Sequence, residues 1–229
     1  METKDIKKYV ERQRNELNGR LKKRNSRFNA HIDEKTFREL MTVEGTKVLF
    51  DRGVNSHFII DESNEILIKQ LFHYVTGSNQ FSGDLFKGIY LCGGYGTGKT
   101  TTLKALLAVL SNLSYRLGAK IIHSQKLSKE FINGVEGYME IMHEPMEIYN
   151  KGILFIDDVG KEPTTVNSYG TERRPLIELI NSRYEIGSLT FLTSNLKTKT
   201  LQERYSGHFA DRVKAMMNVF ELTGESKRR

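Results

Sequence analysis

Gly93-Gly94-Tyr95-Gly96-Thr97-Gly98-Lys99-Thr100 is the stretch from which the rest of this 229-residue chain can be read. It fits the pattern G-x-x-x-x-G-K-[S/T] at every fixed position. The apolar run Gly88-Ile89-Tyr90-Leu91-Cys92 precedes it and reads as a buried strand; Thr101 to Leu110 follows it and reads as a helix. Strand, glycine loop and helix make an anion cradle. The glycines let the backbone curl until its N–H groups face a phosphate, and the helix N-terminus adds a favourable field. Lys99 brings a compact positive charge for the outer phosphates, and the Thr100 hydroxyl is a ligand for Mg2+. Gly93 through Lys99, with Thr100 and Thr101, are the candidate nucleotide-binding residues.

Working outward, the length suits one large domain, or one domain with an appendage. Hydrophobic residues make up 38% and charged residues 28%, as in globular proteins. No apolar run approaches the ~20 residues of a membrane span. The first residues carry no signal-peptide pattern. Cys92 is the sole cysteine, which excludes a disulfide framework and a cysteine zinc cluster. Cytoplasmic residence without membrane contact is the resulting expectation. Residues 1–28 hold ten Lys or Arg against four acids, so this arm carries six of the chain's seven net positive charges. Ile6, Val10, Leu17 and Leu21 fall on one helical stripe, and Asn18-Gly19 is expected to interrupt that helix. The arm reads either as a solvated tail or as a contact surface for nucleic acid or a partner protein. Residues 1–55 are assigned to a basic helical partner-binding region and 56–229 to the nucleotide-binding domain.

Past Glu62, helix and strand signals alternate. Strands are predicted at 88–92, 119–123, 152–157, 188–193 and 218–222. Helices are predicted at 62–76, 99–116, about 125–133, 138–149, 171–186, 198–204 and 208–216. That alternation implies a parallel five-stranded sheet covered on both faces. Ligands of such sheets bind at the carboxyl ends of the strands. There, Gly152-Ile153-Leu154-Phe155-Ile156-Asp157-Asp158 ends an apolar run in two carboxylates. Asp157 is placed to hold Mg2+, and Asp158 to orient and deprotonate an attacking water. A third run, Ser188 to Asn195, ends in Thr193-Ser194-Asn195. An amide at that tip can hydrogen-bond a terminal phosphate and the water, although asparagine is also common in plain turns.

These three signals, in this order, resemble the AAA+ ATPases, a P-loop NTPase group of three-layer α/β/α architecture. The resemblance spans about residues 60–229 and is nearest to the DnaC-type replicative helicase loaders and the related IstB transposition ATPases. It is carried by Phe155-Ile156-Asp157-Asp158-Val159-Gly160, Ser168-Tyr169-Gly170, Asn181-Ser182-Arg183-Tyr184, Thr193-Ser194-Asn195, Glu203-Arg204-Tyr205, Ala210-Asp211-Arg212-Val213 and the ending Phe220 to Arg229. It implies ATP and Mg2+ as cofactors, Asp158, Asn195 and Arg212 as catalytic residues, and Thr100 and Asp157 as metal ligands. Asn195 would be the sensor-1 residue. Arg212 would be an arginine finger acting on a neighbouring copy's ATP, with Arg204 as the alternative finger. Arg228 or Arg229 would correspond to a terminal arginine that senses nucleotide, the basic tail Lys227-Arg228-Arg229 leaving both registers open. Many AAA+ proteins have Glu where Asp158 stands, and the shorter side chain implies slow, switch-like hydrolysis.

The function implied is loading of a replicative DNA helicase, held through the N-terminal region, onto single-stranded DNA, with ATP-dependent assembly into a homo-oligomer. The alternative is an IstB-like helper of transposition on duplex DNA with a transposase partner. A small-molecule kinase using Arg173 and Arg174 as a clamp ranks below both, because the Asp-Asp and Thr-Ser-Asn strand ends suit hydrolysis. No Asn-Lys-x-Asp segment is present to read guanine. The six histidines show no metal spacing and are read as surface or packing residues, and Met139, Met142, Met146, Met216 and Met217 as core or interface filler. Residues 161–167 read as a loop.

Overall fold

Gly88–Gly93 carries no charge, is buried throughout, and forms the interior strand β1. The computed structural model describes residues 3–25, 28–113, 118–133, 135–136, 142–143, 145–168 and 170–227. In it β1 belongs to a five-stranded sheet with β2 (Ala119–His123), β5 (Ile153–Val159), β8 (Thr190–Ser194) and β9 (Met217–Leu222). The strand order is β2-β5-β8-β1-β9 and every pairing is parallel. All five carboxyl ends therefore lie along one edge.

Because side chains alternate across a strand, each strand feeds two cores. Ile89, Leu91, Phe155 and Phe191 point to one face, where α2 (Glu34–Phe50), α3 (Glu65–Val75) and α4 (Lys99–Leu113) bring Phe37, Met41, Leu71 and Leu106. Tyr90, Leu154, Ile156 and Leu192 point to the other. There α5 (Ser124–Asn133), α7 (Pro175–Ile186) and α9 (Gly207–Met216) bring Leu127, Leu179, Ile180, Phe209 and Val213. Each fully buried aliphatic or aromatic side chain contributes about 1.5–3 kcal/mol. The expected three-layer α/β/α fold with a parallel five-stranded sheet is thus the one observed.

Several boundaries differ from the sequence-based expectations. Helix α1 runs unbroken from Thr3 to Asn25, through Asn18-Gly19. A single glycine costs only about 1 kcal/mol in a helix interior, and the Glu16–Arg20 pair at 3.1 Å spans the site. All side chains from Asp5 to Arg20 are exposed. Helix α2, by contrast, lies in the same core as the sheet, with Phe37 and Met41 completely buried.

The expected helix 171–186 begins only at Pro175. Proline lacks an N–H, is favoured in the first turn, and restrains Arg174 outside helical geometry. The residues before it form a hairpin, β6 (Val166–Ser168) with β7 (Thr171–Arg173). Likewise the expected helix 138–149 is reduced to α6 (Pro145–Tyr149), preceded by an antiparallel pair of β3 (Val135–Glu136) and β4 (Met142–His143). Helix α8 (Thr198–Arg204) matches its expected span. Tyr169, Met139, residues 114–116 of the expected helix 99–116, and residues 138–141 lie outside the described residues.

Arg183, a fully buried arginine on α7, ties the far end of the sheet together. Its guanidinium donates to the carbonyls of Tyr149, Gly152 (2.8 Å) and Leu189 (2.7 Å) and to Thr190 Oγ1 (2.9 Å). Burial without a counter-ion pushes its pKa down to about 10. These bonds serve carbonyls at the end of α6 and at the starts of β5 and β8, where the regular backbone ladders run out.

Candidate functional site

The glycine loop leaves β1 at Gly93 and enters α4 at Lys99. Gly96 (φ 74°) and Gly98 (φ 89°) adopt left-handed backbone that side-chain-bearing residues rarely take. A Cβ on Gly96 would also meet Ser226 Oγ at 2.0 Å. Lys99 is buried, and its ammonium donates to the carbonyls of Gly93 (3.0 Å) and Gly94 (2.6 Å). Thr97 Oγ1 donates to Gly94 O at 3.1 Å, which closes the loop on itself. Thr101 is buried beneath the loop and Tyr95 stands exposed at its tip.

Thr100, the second residue of α4, donates its hydroxyl to Asp157 Oδ1 at 2.7 Å. Thr193 on β8 donates to the same oxygen. The register explains the convergence. β5 pairs β8 at Ile156↔Leu192, one residue before Asp157 and Thr193, and β1 pairs β8 at Leu91↔Thr193, two residues before the loop, so loop, aspartate and threonine gather at one stretch of the sheet edge. Asp157 is buried, and its Oδ2 lies 3.9 Å from the Arg52 guanidinium. A threonine hydroxyl and a carboxylate in contact are hard oxygen donors. They suit Mg2+, which takes one or two such protein ligands and completes its shell with phosphates and water.

Asp158 is re-aimed by an irregularity. The β5–β8 register shifts between Ile156 and Val159, and Asp158 has φ 58°. A bulge of this kind turns a side chain that would otherwise follow the pleat. Its N–H donates to Thr193 Oγ1 at 2.9 Å, and its carbonyl accepts from Ser124 Oγ at 2.8 Å. The carboxylate pairs with Lys161 Nζ at 2.6 Å and lies 3.2 Å from His123 Nε2. Burial alone would push this carboxyl up, but the Lys161 ammonium and His123 outweigh it and hold the pKa below the usual aspartate range. A depressed carboxylate stabilises the fold above its unfolded-state pKa and loses that contribution as pH falls through the folded value. Lys161→Met is therefore expected to lower the urea midpoint most at neutral pH. The difference from the parent should close as pH falls below about 3.8, the ordinary aspartate value. A gap of constant size across that range would contradict the pairing.

Asn195 lies just beyond β8, half-buried. Its neighbour Ser194 fixes that tip by donating to Val159 O and accepting from Leu196 N–H at 3.0 Å. The candidate arginines divide. Arg212 lies on α9, 3.4 Å from Glu185 and 5.1 Å from the centre of the Tyr184 ring, away from the strand ends. Arg204 donates to Glu162 O at 2.6 Å and stacks on Tyr205. The Tyr205 hydroxyl and Gly160 N–H in turn hold the buried Glu162 carboxylate, which pins the loop behind Asp158. Arg228 and Arg229 lie outside the described residues. The tail leading to them reaches the loop, because Lys227 N–H donates to Gly96 O at 3.0 Å while its ammonium pairs with Asp61 at 2.8 Å.

The sequence reading assigned no part in the site to His123, Lys161 or Arg52, and it quoted Thr193 in the third signal without giving it a role. His123 ends an expected strand, so the rule that located Asp157 could have found it; it is here a neighbour of Asp158 instead of a packing residue. Among the described residues it joins Asp157 and Asp158 in the one acidic and histidine cluster compact enough to hold a metal, with ligand atoms within 4.8 Å of one another. Arg52 gives no local signal.

Comparison with known proteins agrees with this fold. Residues 89–185 match the family described as "ATPase family associated with various cellular activities (AAA)". Among solved structures, the chain is similar to DnaI, at 21% identity and TM-score 0.55, covering 72% of this chain and 88% of that one. It is similar to the DnaC helicase loader, at 18% identity and TM-score 0.55, covering 74% and 95%. It is also similar to AMPPCP-bound DnaA from Aquifex aeolicus, at 19% identity and TM-score 0.51, covering 74% of this chain but only 49% of that protein. Curated proteins give no significant sequence match. Among the described residues, no helix is long and apolar enough to cross a membrane.

Proposed function

Because the chain carries an AAA-type ATPase module at residues 89–185, we propose that it is an ATP-driven loader of a replicative DNA helicase onto single-stranded DNA. The observation that carries this reading is α1. It is a long basic helix whose described side chains are all exposed, attached to an ATPase core that does not need it for packing. An enzyme acting on a small molecule has no use for such an arm, whereas one that grips a macromolecule does. The fold likeness to DnaI and to the DnaC helicase loader, over most of their lengths, supports the same choice. In this reading the partner-binding arm is α1 itself, and α2 belongs to the ATPase body.

In this reading the site residues share out the work of phosphoryl transfer. Backbone N–H groups of the glycine loop hold the phosphates, and Lys99 exchanges its loop carbonyls for phosphate oxygens. Thr100 and Asp157 would hold Mg2+, which when bound neutralises charge on the outer phosphates. Asp158, once free of Lys161, accepts a proton from the attacking water. Asn195 orients that water from the neighbouring strand tip. Arg212 of an adjacent copy completes the site, so hydrolysis depends on assembly.

Reversing charge on the arm (Lys7, Lys8, Arg12 and Arg14 to Glu) tests the assignment in the full chain. The variant is expected to lose binding to a purified replicative helicase in size-exclusion chromatography and to keep the parent's nucleotide affinity. Undiminished helicase binding would refute the assignment. Tighter binding of the parent to duplex than to single strands would favour the transposition helper.

A further inference from the structure

Asp157 presents two oxygens, and only one is accounted for by hydroxyl donors. Oδ1 accepts from Thr100 and Thr193, while Oδ2 faces the Arg52 guanidinium at 3.9 Å. That separation is too long for a hydrogen bond, so the guanidinium is held near the site by charge and is not locked to the carboxylate. Its backbone is fixed much more firmly. Helix α2 packs on the sheet through Phe37 and Met41 and is tied to α4 by the 3.3 Å bond between Glu44 and Asn112. It then ends in a paired cap: Gly53 N–H donates to Phe50 O at 2.8 Å and Val54 N–H to Leu49 O at 3.0 Å, with Gly53 at φ 72°. This is the Schellman arrangement, and it sets the direction in which the residue before the glycine leaves the helix. Arg52 is thus a 40% exposed cation projected from a rigid support toward the oxygens where Thr100 and Asp157 would hold Mg2+.

We propose that Arg52 is a phosphate-binding residue supplied by the same chain, which turns from Asp157 to the terminal phosphate of ATP when nucleotide enters. The inference rests on reading the glycine loop as an ATP site. A divalent cation taken up by Asp157 would repel the guanidinium. A terminal phosphate beside that cation offers the same guanidinium a planar, bidentate acceptor, for which arginine is better shaped than lysine. The change costs little, because the present contact is long and half-solvated. It also makes the residue selective: ADP lacks the phosphate that Arg52 would reach, while Lys99 and the loop N–H groups meet both nucleotides.

The test is titration of the full chain with a fluorescent non-hydrolysable ATP analogue and with fluorescent ADP, in Mg2+. Arg52→Ala is expected to weaken the ATP analogue by about ten- to a hundredfold, the worth of a hydrogen bond to a charged group, and to leave ADP within about twofold. Arg52→Lys should fall between the parent and Arg52→Ala. Equal losses for both nucleotides, or no loss, overturns the proposal. Tighter binding of the ATP analogue also overturns it, since Arg52 would then only screen Asp157. Lys99→Ala run alongside separates the two levels. If it loses both nucleotides while Arg52→Ala loses neither, only the Arg52 proposal falls. If the parent itself binds neither, the ATP-site reading falls with it.

Discussion

Arg212→Ala is expected to leave ATP affinity within about twofold and to lower assembly-stimulated hydrolysis by about a thousandfold or more, the lower range for an arginine supplied across an interface. Within one chain this guanidinium cannot serve its own site: it sits on α9 beside Glu185 and Tyr184. Its resting contacts are of a kind that is cheaply surrendered. The Arg212 side chain is 18% exposed, but its partner Glu185 is 68% exposed, and pairs open to solvent contribute only about 0–1 kcal/mol. A neighbouring phosphate in a water-poor interface outbids that pair. Mixing experiments give the sharpest readout. An inactive Lys99→Ala copy that still carries Arg212 should partly restore hydrolysis to an Arg212→Ala copy with an intact loop. A variant that loses nucleotide affinity in its own subunit, without such rescue, contradicts action between copies.

Lys99→Ala carries the second large effect. The ammonium is buried, and its two carbonyl acceptors hold it above the loop where the outer phosphates would enter. Removing it deletes charge-assisted bonds to phosphate oxygens and takes a donor from the Gly93 and Gly94 carbonyls, the second of which keeps the Thr97 hydroxyl. Loss of at least about a hundredfold in ATP affinity is expected, measured by calorimetric or fluorescence titration. The melting temperature should change little, because the loop stays anchored between β1 and α4. Unchanged affinity would remove the phosphate-loop assignment altogether.

The glycine loop was legible because its chemistry is written in consecutive residues, and the apolar runs on either side set its strand and helix. Asp157 was legible for a related reason. A four-residue apolar run ending in acids has one natural place in a parallel sheet, and the carboxyl edge is where ligands bind. What escaped depended on tertiary placement. Nothing in the order Asp157-Asp158 reveals the bulge that turns the second carboxylate toward Lys161 and His123. Arg52 and Asp157 are neighbours only because α2 packs on the sheet, and α2 was assigned to the basic arm because it adjoins that arm in sequence. The truncated α7 and α6 follow from Pro175 and Pro145, residues that the helical periodicity overran. The unbroken α1 shows the reverse error, a glycine given more weight than one helix position warrants.

The shared-site mechanism is tested most directly by the ATPase rate per chain as a function of protein concentration, with single-stranded DNA, with duplex DNA and with neither. Hydrolysis at sites completed by a second copy predicts a specific rate that climbs with concentration, rises further on single strands, and stays flat in Arg212→Ala. A specific rate independent of concentration and of DNA in the parent protein would contradict it.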